Sequence, residues 1–207
     1  MTKKCGSIYC IGRNYQDHAK ELNNEIPTKP VVFLKSAASL RGLEPSPMAF
    51  ADERFHHEIE LVLKIGKNIR LGETINVEEA VSHLALGLDL TRREIQTELK
   101  SKGLPWTLAK SFAGSAVIGS LVKFDAKIKF SDIDFSLTVN DVLKQEGHTR
   151  DMMFDVSYLL DYLASFQELN EGDLIFTGTP KGVGPIEVGD TFVFESRALK
   201  IKEHGKI

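Results

Sequence analysis

Cysteine is scarce in this 207-residue chain, with Cys5 and Cys10 its two thiols. Two cysteines without zinc-site spacing or partners build neither a disulfide framework nor a metal finger, so they read as inert thiols of a reduced protein. Long apolar runs are missing as well. No stretch approaches the roughly 20 residues that a membrane span requires. The opening MTKKCGSIYCIGRNY lacks the uninterrupted apolar core and small-residue cleavage site of a secretory leader. Neither sign of charge dominates: 26 Lys and Arg against 29 Asp and Glu leave a formal charge of −3. That balance offers no footprint for nucleic acid or an anionic membrane. Repeats, low-complexity tracts and Pro/Gly/Ser-rich linkers are lacking too. The expectation is therefore a cytoplasmic protein with residues 1–207 as a single domain, and its 42% hydrophobic content suffices for an unstapled core.

What is present reads as short strands with a few helices. IYCIG is a strand broken at Gly12, YQDHAKELNN a short helix, and PVVFLKS a second strand. FHHEIELVLKIGK, residues 55–67, alternates apolar and other residues with the period of a pleated strand. Asn76 with Glu79 three residues on marks the start of a helix in INVEEAVSH, and LALGLDL is a buried apolar run. Thr91 and Glu94 have capping-box spacing at the head of TRREIQTELKSKG, which stops at Gly103. FSLTVNDVLKQEG predicts a hairpin turning at Asn140-Asp141. FDVSYLLDYLASF has helical spacing, and DLIFTG and DTFVFE are strands around the loop TGTPKGVGPIEVG. Strands outnumber helices without alternating regularly with them, so the class is α+β, dominated by β, rather than a doubly wound α/β sheet.

Several residue groups carry chemistry. Glu58 and Glu60 lie at i and i+2 of one strand, pointing the same way roughly 6.6 Å apart. They belong either to a solvated edge or to a site holding a cation between them. Asp89 ends an apolar run, where a carboxylate needs a partner because burial of an unpaired charge costs several kcal/mol. It either caps the helix at Thr91 or joins the two glutamates. Three carboxylates without cysteine or a pairing histidine favour a hard divalent ion, Mg²⁺ or Mn²⁺. His18 and Glu21 share one helical face, as a surface contact or as a carboxylate-oriented general base. Lys110 stands among apolar and aromatic residues in WTLAKSF, snorkelling to water or binding an anion. The three glycines of 177–184 form a turn or bring backbone N–H groups to an oxyanion; the lysine-then-hydroxyl ending of a phosphate-binding loop is absent.

Taken in order, the segments IYCIGRNYQDHAKEL, VVFLKS, FHHEIELVLKIGK, GLDLTRREIQ, KGLPWTLAKSF, LTVNDVLKQEG and IFTGTPKGVGPIEVGD resemble the fumarylacetoacetate hydrolase family. The resemblance is to its short single-domain branch of acylpyruvate hydrolases and oxaloacetate-processing enzymes. It implies a mixed β-sheet roll with few helices, and a homodimer. It implies Mg²⁺ or Mn²⁺ on Glu58, Glu60 and Asp89, and a water-activating dyad of His18 and Glu21 on a lid over residues 14–24. Lys110 is implied at the reacting centre, Arg93 and Gln96 in substrate binding, and Thr179 near the substrate carboxylate. The sequence departs from relatives at Asn140-Asp141, where Asn-Gly is frequent, and the extra N-terminal domain of larger relatives is expected to be absent.

The implied substrate is a small 2-oxo acid. The implied reaction is hydrolysis of a carbon–carbon bond in acylpyruvates to a carboxylate and pyruvate, with oxaloacetate decarboxylation or tautomerisation as relatives of the same chemistry. Isomerisation of unsaturated 2-oxo diacids, or ligand binding without catalysis, are the alternatives.

Overall fold

A computed structural model describes residues 5–21, 26–45 and 47–207, and every structural statement below concerns these. The chain opens with β1 (Ile8–Gly12), α1 (Gln16–Glu21), β2 (Val31–Lys35) and the short β3 (Leu40–Arg41). β4 (Phe55–His57) and β5 (Ile59–Ile65) follow, then α2 (Val77–Ala80), β6 (Val81–Asp89), α3 (Arg93–Ser101) and α4 (Thr107–Lys110). The second half has β7 (Ala116–Ile118), β8 (Val122–Lys123), β9 (Asp134–Val139), β10 (Val142–His148) and α5 (Val156–Ala164). It closes with β11 (Leu174–Phe176), β12 (Gly184–Ile186), β13 (Thr191–Ser196) and β14 (Ile201–Lys206). The β-dominated α+β class is thus observed.

The larger sheet runs β2-β1-β11-β5-β6-β7-β3, with β8 also paired to β6. It is mixed: β1 runs parallel to β11 and β3 to β7, while the other pairs are antiparallel. A second sheet has the order β10-β9-β13-β14, and β4 pairs with β12. Main-core side chains come from both larger sheets, for example Ile59, Leu61 and Leu63 with Leu137, Phe192 and Phe194. A smaller cluster of Ile8, Cys10, Val62, Ala85 and Phe176 covers the opposite face of the larger sheet. Covering both faces explains why β1 and β6 read as nearly continuous apolar runs rather than alternating ones. Gly87 in β6 is required there: a Cβ would fall 2.7 Å from the Val117 carbonyl and 2.9 Å from a Val62 methyl. No helix is long and apolar enough to cross a membrane.

Several local readings need correction. The expected strand 55–67 breaks at Glu58, because β4 leaves to pair with β12 while β5 pairs with β11 and β6. The helix begun by Asn76, whose side chain accepts from the Glu78 N–H at 3.2 Å, lasts a single turn. Val81-Ser82-His83 belong to β6 instead, pulled into the sheet by pairing with β5 and β8. Thr91 and Glu94 form no capping box. Arg92 occupies the cap position of α3 without a side-chain bond, and the Thr91 hydroxyl is used elsewhere. The hairpin at Asn140-Asp141 forms as expected, both residues left-handed at φ 47° and 61°, as a type I′ turn requires.

Candidate active site

The antiparallel pairing of β5 and β6 creates the acidic centre. Ile59 lies opposite Leu88 and Glu60 opposite Gly87, and the Asp89 N–H donates to the Glu58 carbonyl at 2.9 Å. Glu58, Glu60 and Asp89 therefore meet at one end of the strand pair, and one carboxylate oxygen from each lies within 4.8 Å of the others. All three are buried. The solvated-edge and helix-cap alternatives for these acids are excluded by that burial and by the ion pairs of Asp89.

Two of the three have cations beside them. The Lys110 Nζ, at the end of α4, donates at 2.7 Å to Glu58 Oε2, Asp89 Oδ2 and Thr91 Oγ1. Arg93 donates to Glu58 Oε1 and, at 2.6 Å, to Gln96 Oε1. Burial pushes the Glu58 carboxyl up, but Lys110 and Arg93 outweigh it and hold the group well below the usual carboxylate range. Burial likewise works against the Lys110 charge, and Asp89 and Glu58 overcome it. Lysine and carboxylates stabilise each other's ionised forms here.

Glu60 is different. Its one hydrogen bond comes from the Gly178 N–H, at 2.7 Å to Oε2. Burial, then the neighbouring Asp89 and Glu58, push its carboxyl well above the ordinary range. Asp89 Oδ1, in contrast, has the buried Lys35 Nζ 2.7 Å away. A buried carboxylate without a cation of its own, beside two more carboxylates in an all-oxygen donor set, fits a hard divalent ion such as Mg²⁺ or Mn²⁺.

The dyad approaches from α1. The His18 Nδ1 is 3.3 Å from Glu21 Oε2, and the same carboxylate accepts the Gly182 N–H at 3.0 and 3.2 Å. Asp17 and Lys181 add a 3.2 Å ion pair between helix and glycine loop. His18 is buried, and burial lowers its pKa against the opposing pull of Glu58 and Glu21, so the imidazole is neutral at pH 7. The expected lid 14–24 is described as far as Glu21; residues 22–24 lie outside the described part. Eight of the nine expected residues, all but Glu21, line one cleft of about 40 Å³ that also touches Arg13, Phe33 and Trp106. Glu21 reaches it through His18. Thr179 is brought in by the glycine loop, where Gly178 at φ +105° packs so close to Asn14 that a Cβ would sit 2.7 Å from the Asn14 Cβ.

Two contributors escaped the sequence reading. Lys35 ends β2 fully buried, paired with Asp89 and donating to the Leu90 carbonyl at 3.2 Å and to the Lys110 carbonyl. The signal was available, since VVFLK places a lysine after four apolar residues much as WTLAK does. Gln145 had no such signal. A bulge between Leu143 and Gln145 turns its side chain inward. Its Oε1 faces the His57 Nδ1 at 2.9 Å and accepts the Ile59 N–H at 3.1 Å; its Nε2 donates to Thr179 Oγ1 and the Pro180 carbonyl, both at 2.9 Å. Gln145 thereby ties the glutamate strand to the glycine loop. The thiols take no part: burial pushes Cys5 up to about 11 and Cys10 well above its usual value.

Residues 7–204 match the family profile described as fumarylacetoacetate (FAA) hydrolase, C-terminal. The mitochondrial oxaloacetate tautomerase of Bos taurus is 41% identical over 186 residues, covering 89% of this chain and 84% of that protein. The mitochondrial oxaloacetate decarboxylase of Dictyostelium discoideum is 40% identical over 184 residues, covering 88% and 84%. Among solved structures, fumarylpyruvate hydrolase from Pseudomonas aeruginosa in complex with Mn²⁺ and pyruvate superposes with a TM-score of 0.84 at 33% identity, covering 98% of this chain and 89% of that one. The chain belongs to the fumarylacetoacetate hydrolase family.

Proposed function

We propose that this protein is a divalent-metal-dependent hydrolase that cleaves acylpyruvates into a carboxylate and pyruvate. The observation that carries the reading is the position of His18, buried, neutral and paired with Glu21, on the same cleft as the three acids. Glu58, Glu60 and Asp89 hold the ion, Mg²⁺ or Mn²⁺. When bound, the ion supplies Lewis acidity for the keto oxygen of a 2-oxo acid.

The remaining work falls to the chain itself. Because Nδ1 faces Glu21, the His18 Nε2 is the nitrogen left to take a proton from water. The hydroxide so formed adds to the distal acyl carbonyl. Collapse breaks the adjoining carbon–carbon bond, giving a carboxylic acid and the enolate of pyruvate, which takes up the proton at carbon to leave as pyruvate. Thr179 accepts from Gln145, so its own hydroxyl proton is available to the substrate carboxylate. Arg93 and Gln96, joined to each other, present donors from α3. Lys110 keeps its positive charge at the reacting centre through its contacts with Glu58 and Asp89.

Oxaloacetate is the second reading, favoured by the names of the curated relatives above. Tautomerisation needs a proton moved between carbon and oxygen, and decarboxylation needs the same enolate; neither consumes water. The two readings separate in one experiment. Single-turnover hydrolysis of an acylpyruvate by wild type and His18→Ala, at saturating Mg²⁺, is expected to show a loss of about 10²–10⁴-fold. Oxalate and metal affinity, titrated in parallel, are expected to persist. A variant that hydrolyses at the wild-type rate removes the dyad from the mechanism and leaves oxaloacetate first. A single catalytic unit, a homodimer and a cytoplasmic location complete the proposal, checked by limited proteolysis, sedimentation and cell fractionation.

A further inference from the structure

The histidine beside Glu58 has no place on the cleft wall, yet hydrogen bonds tie it to a residue that does. His57 ends β4 fully buried and lies opposite Gly184 of β12. A Cβ at Gly184 would fall 3.3 Å from the His57 Nε2, so the ring takes up the room that a side chain there would fill. Nε2 meets no hydrogen-bond partner among the described residues. Nδ1 faces the Gln145 Oε1 at 2.9 Å, the ring's one hydrogen bond to another described residue.

Backbone groups dictate where the protons lie in this contact. The Ile59 N–H can only donate, and it meets the Gln145 Oε1 at 3.1 Å; the Pro180 carbonyl can only accept, and it meets Nε2 at 2.9 Å. The amide oxygen is therefore the end that faces His57. Since that oxygen only accepts, the His57 Nδ1 carries a proton and donates it. The second amide N–H goes to Thr179 Oγ1 at 2.9 Å. Both lone pairs of Oε1 and both protons of Nε2 are then engaged, as a buried amide requires. Thr179, on the cleft wall, accepts from behind, which leaves its own O–H for a ligand in front. With the direction reversed, the threonine would donate to Gln145 and present a lone pair to a carboxylate, which repels it.

We propose that His57 is a positioning residue: acting through Gln145, it fixes the Thr179 hydroxyl as a donor to the substrate carboxylate. This role rests on the contact between Thr179 and that carboxylate proposed above, and supplies the group that sets its direction. With one donor fewer on Oε1 the amide is free to turn about its last bond, and the hydroxyl loses its orientation with it. Hydrogen bonds to charged groups are stronger than those between neutral groups, so the direction of this one proton governs a measurable share of affinity.

The test is a double-mutant cycle on oxalate affinity at saturating Mg²⁺, using wild type, His57→Leu, Thr179→Val and the double variant. Oxalate presents the same carboxylate and is not turned over. Thr179→Val is expected to weaken oxalate about 10–100-fold, and His57→Leu about 3–10-fold. In the double variant the His57 substitution is expected to add no further loss, because no hydroxyl remains to be aimed. His57→Asn, whose amide again donates to Oε1, is expected to recover most of the affinity. With an acylpyruvate, His57→Leu is expected to raise KM at nearly constant kcat. Its Mg²⁺ affinity is expected to match wild type, which separates the role from a displaced Glu58. His57→Met gives the same cycle should the leucine variant not fold. Losses that add in the double variant overturn the role, as does a parallel loss of Mg²⁺ affinity or an asparagine variant no better than leucine; each marks a merely structural histidine. Thr179→Val that binds oxalate like wild type overturns the proposed carboxylate contact itself, and that outcome is recognised before any His57 variant is measured.

Discussion

The four-stranded sheet and the larger mixed sheet use the same pleated geometry for different ends. In β9 and β13 burial alternates: Phe135, Leu137 and Val139 on one strand, Phe192 and Phe194 on the other, face inward while their neighbours are more exposed. No ionisable side chain of that sheet is buried. The larger sheet covers six of seven residues of β5, including Glu60, ends β6 on buried Asp89 and ends β2 on buried Lys35. A buried charge costs several kcal/mol unless paired and hydrogen-bonded. The difference teaches that one sheet contributes stability with little electrostatic liability, while the other holds charges that stabilise the fold poorly and serve the site. Gln145 is the exception, a member of β10 whose side chain works for the other sheet.

Four substitutions break or sharpen this contrast. Phe194→Ala, in the quiet sheet, has the largest expected effect. Removing a fully buried ring costs about 3–5 kcal/mol, which in a chain of this size lowers the melting temperature by roughly 6–20 °C. Metal affinity of the folded protein, measured by calorimetry well below that transition, is expected to hold; a parallel loss would mean that the two sheets are not energetically separable.

Glu60→Gln inverts the pattern. Its metal affinity is expected to fall by at least about 100-fold, since even supporting residues of metal sites commonly cost that much. The metal-free protein, in contrast, is expected to gain stability at pH 7. The sign follows from linkage: the folded carboxyl titrates above its ordinary value of 4.5, so the folded state retains a proton that the unfolded chain releases. Metal-free wild type should therefore lose stability as pH rises from about 4.5 towards the folded pKa. Glutamine abolishes that decline. Denaturation in chelator across this pH range checks it, and identical pH slopes for the two proteins would refute the account of Glu60.

Gln145→Leu tests the bridge between the sheets. It strips the Ile59 N–H and Pro180 carbonyl of their partner and frees the Thr179 hydroxyl from its donor. A destabilisation of about 1–3 kcal/mol is expected, together with a raised KM and a nearly constant kcat. A variant with wild-type KM would confine Gln145 to packing. The smallest effect belongs to the hairpin, remote from the site. Asp141→Gly relieves a left-handed residue and should stabilise by about 0.5 kcal/mol, the αL penalty less the entropy cost of glycine. A shifted denaturation midpoint with unchanged kcat/KM is the expected result; a change in kcat/KM would couple that turn to the cleft.

The residues of the site divide by how far apart their determinants lie. Glu58, Glu60 and Asp89, the turn at Asn140-Asp141 and the dyad spacing of His18 and Glu21 were readable in the sequence, because strand and helix periods act over a few neighbouring residues. The same local rules misassigned Thr91, whose hydroxyl meets Lys110 from 19 residues away rather than capping α3. They joined β4 to β5 across Glu58, although each strand answers to a different partner. They also missed Gln145, turned inward by a bulge, and passed over Lys35. Whether Lys110 snorkels or pairs depends on Glu58, 52 residues away, and that distance closes only when α4 packs beside the end of β6. Period and composition thus marked the three acids, the His18–Glu21 pair and Lys110 as side chains that could carry chemistry, while Arg93, Gln96 and Thr179 came from the family resemblance alone. Only the tertiary structure decided which charges meet, since Coulomb interactions act through space and sheet order, not sequence order, sets those separations.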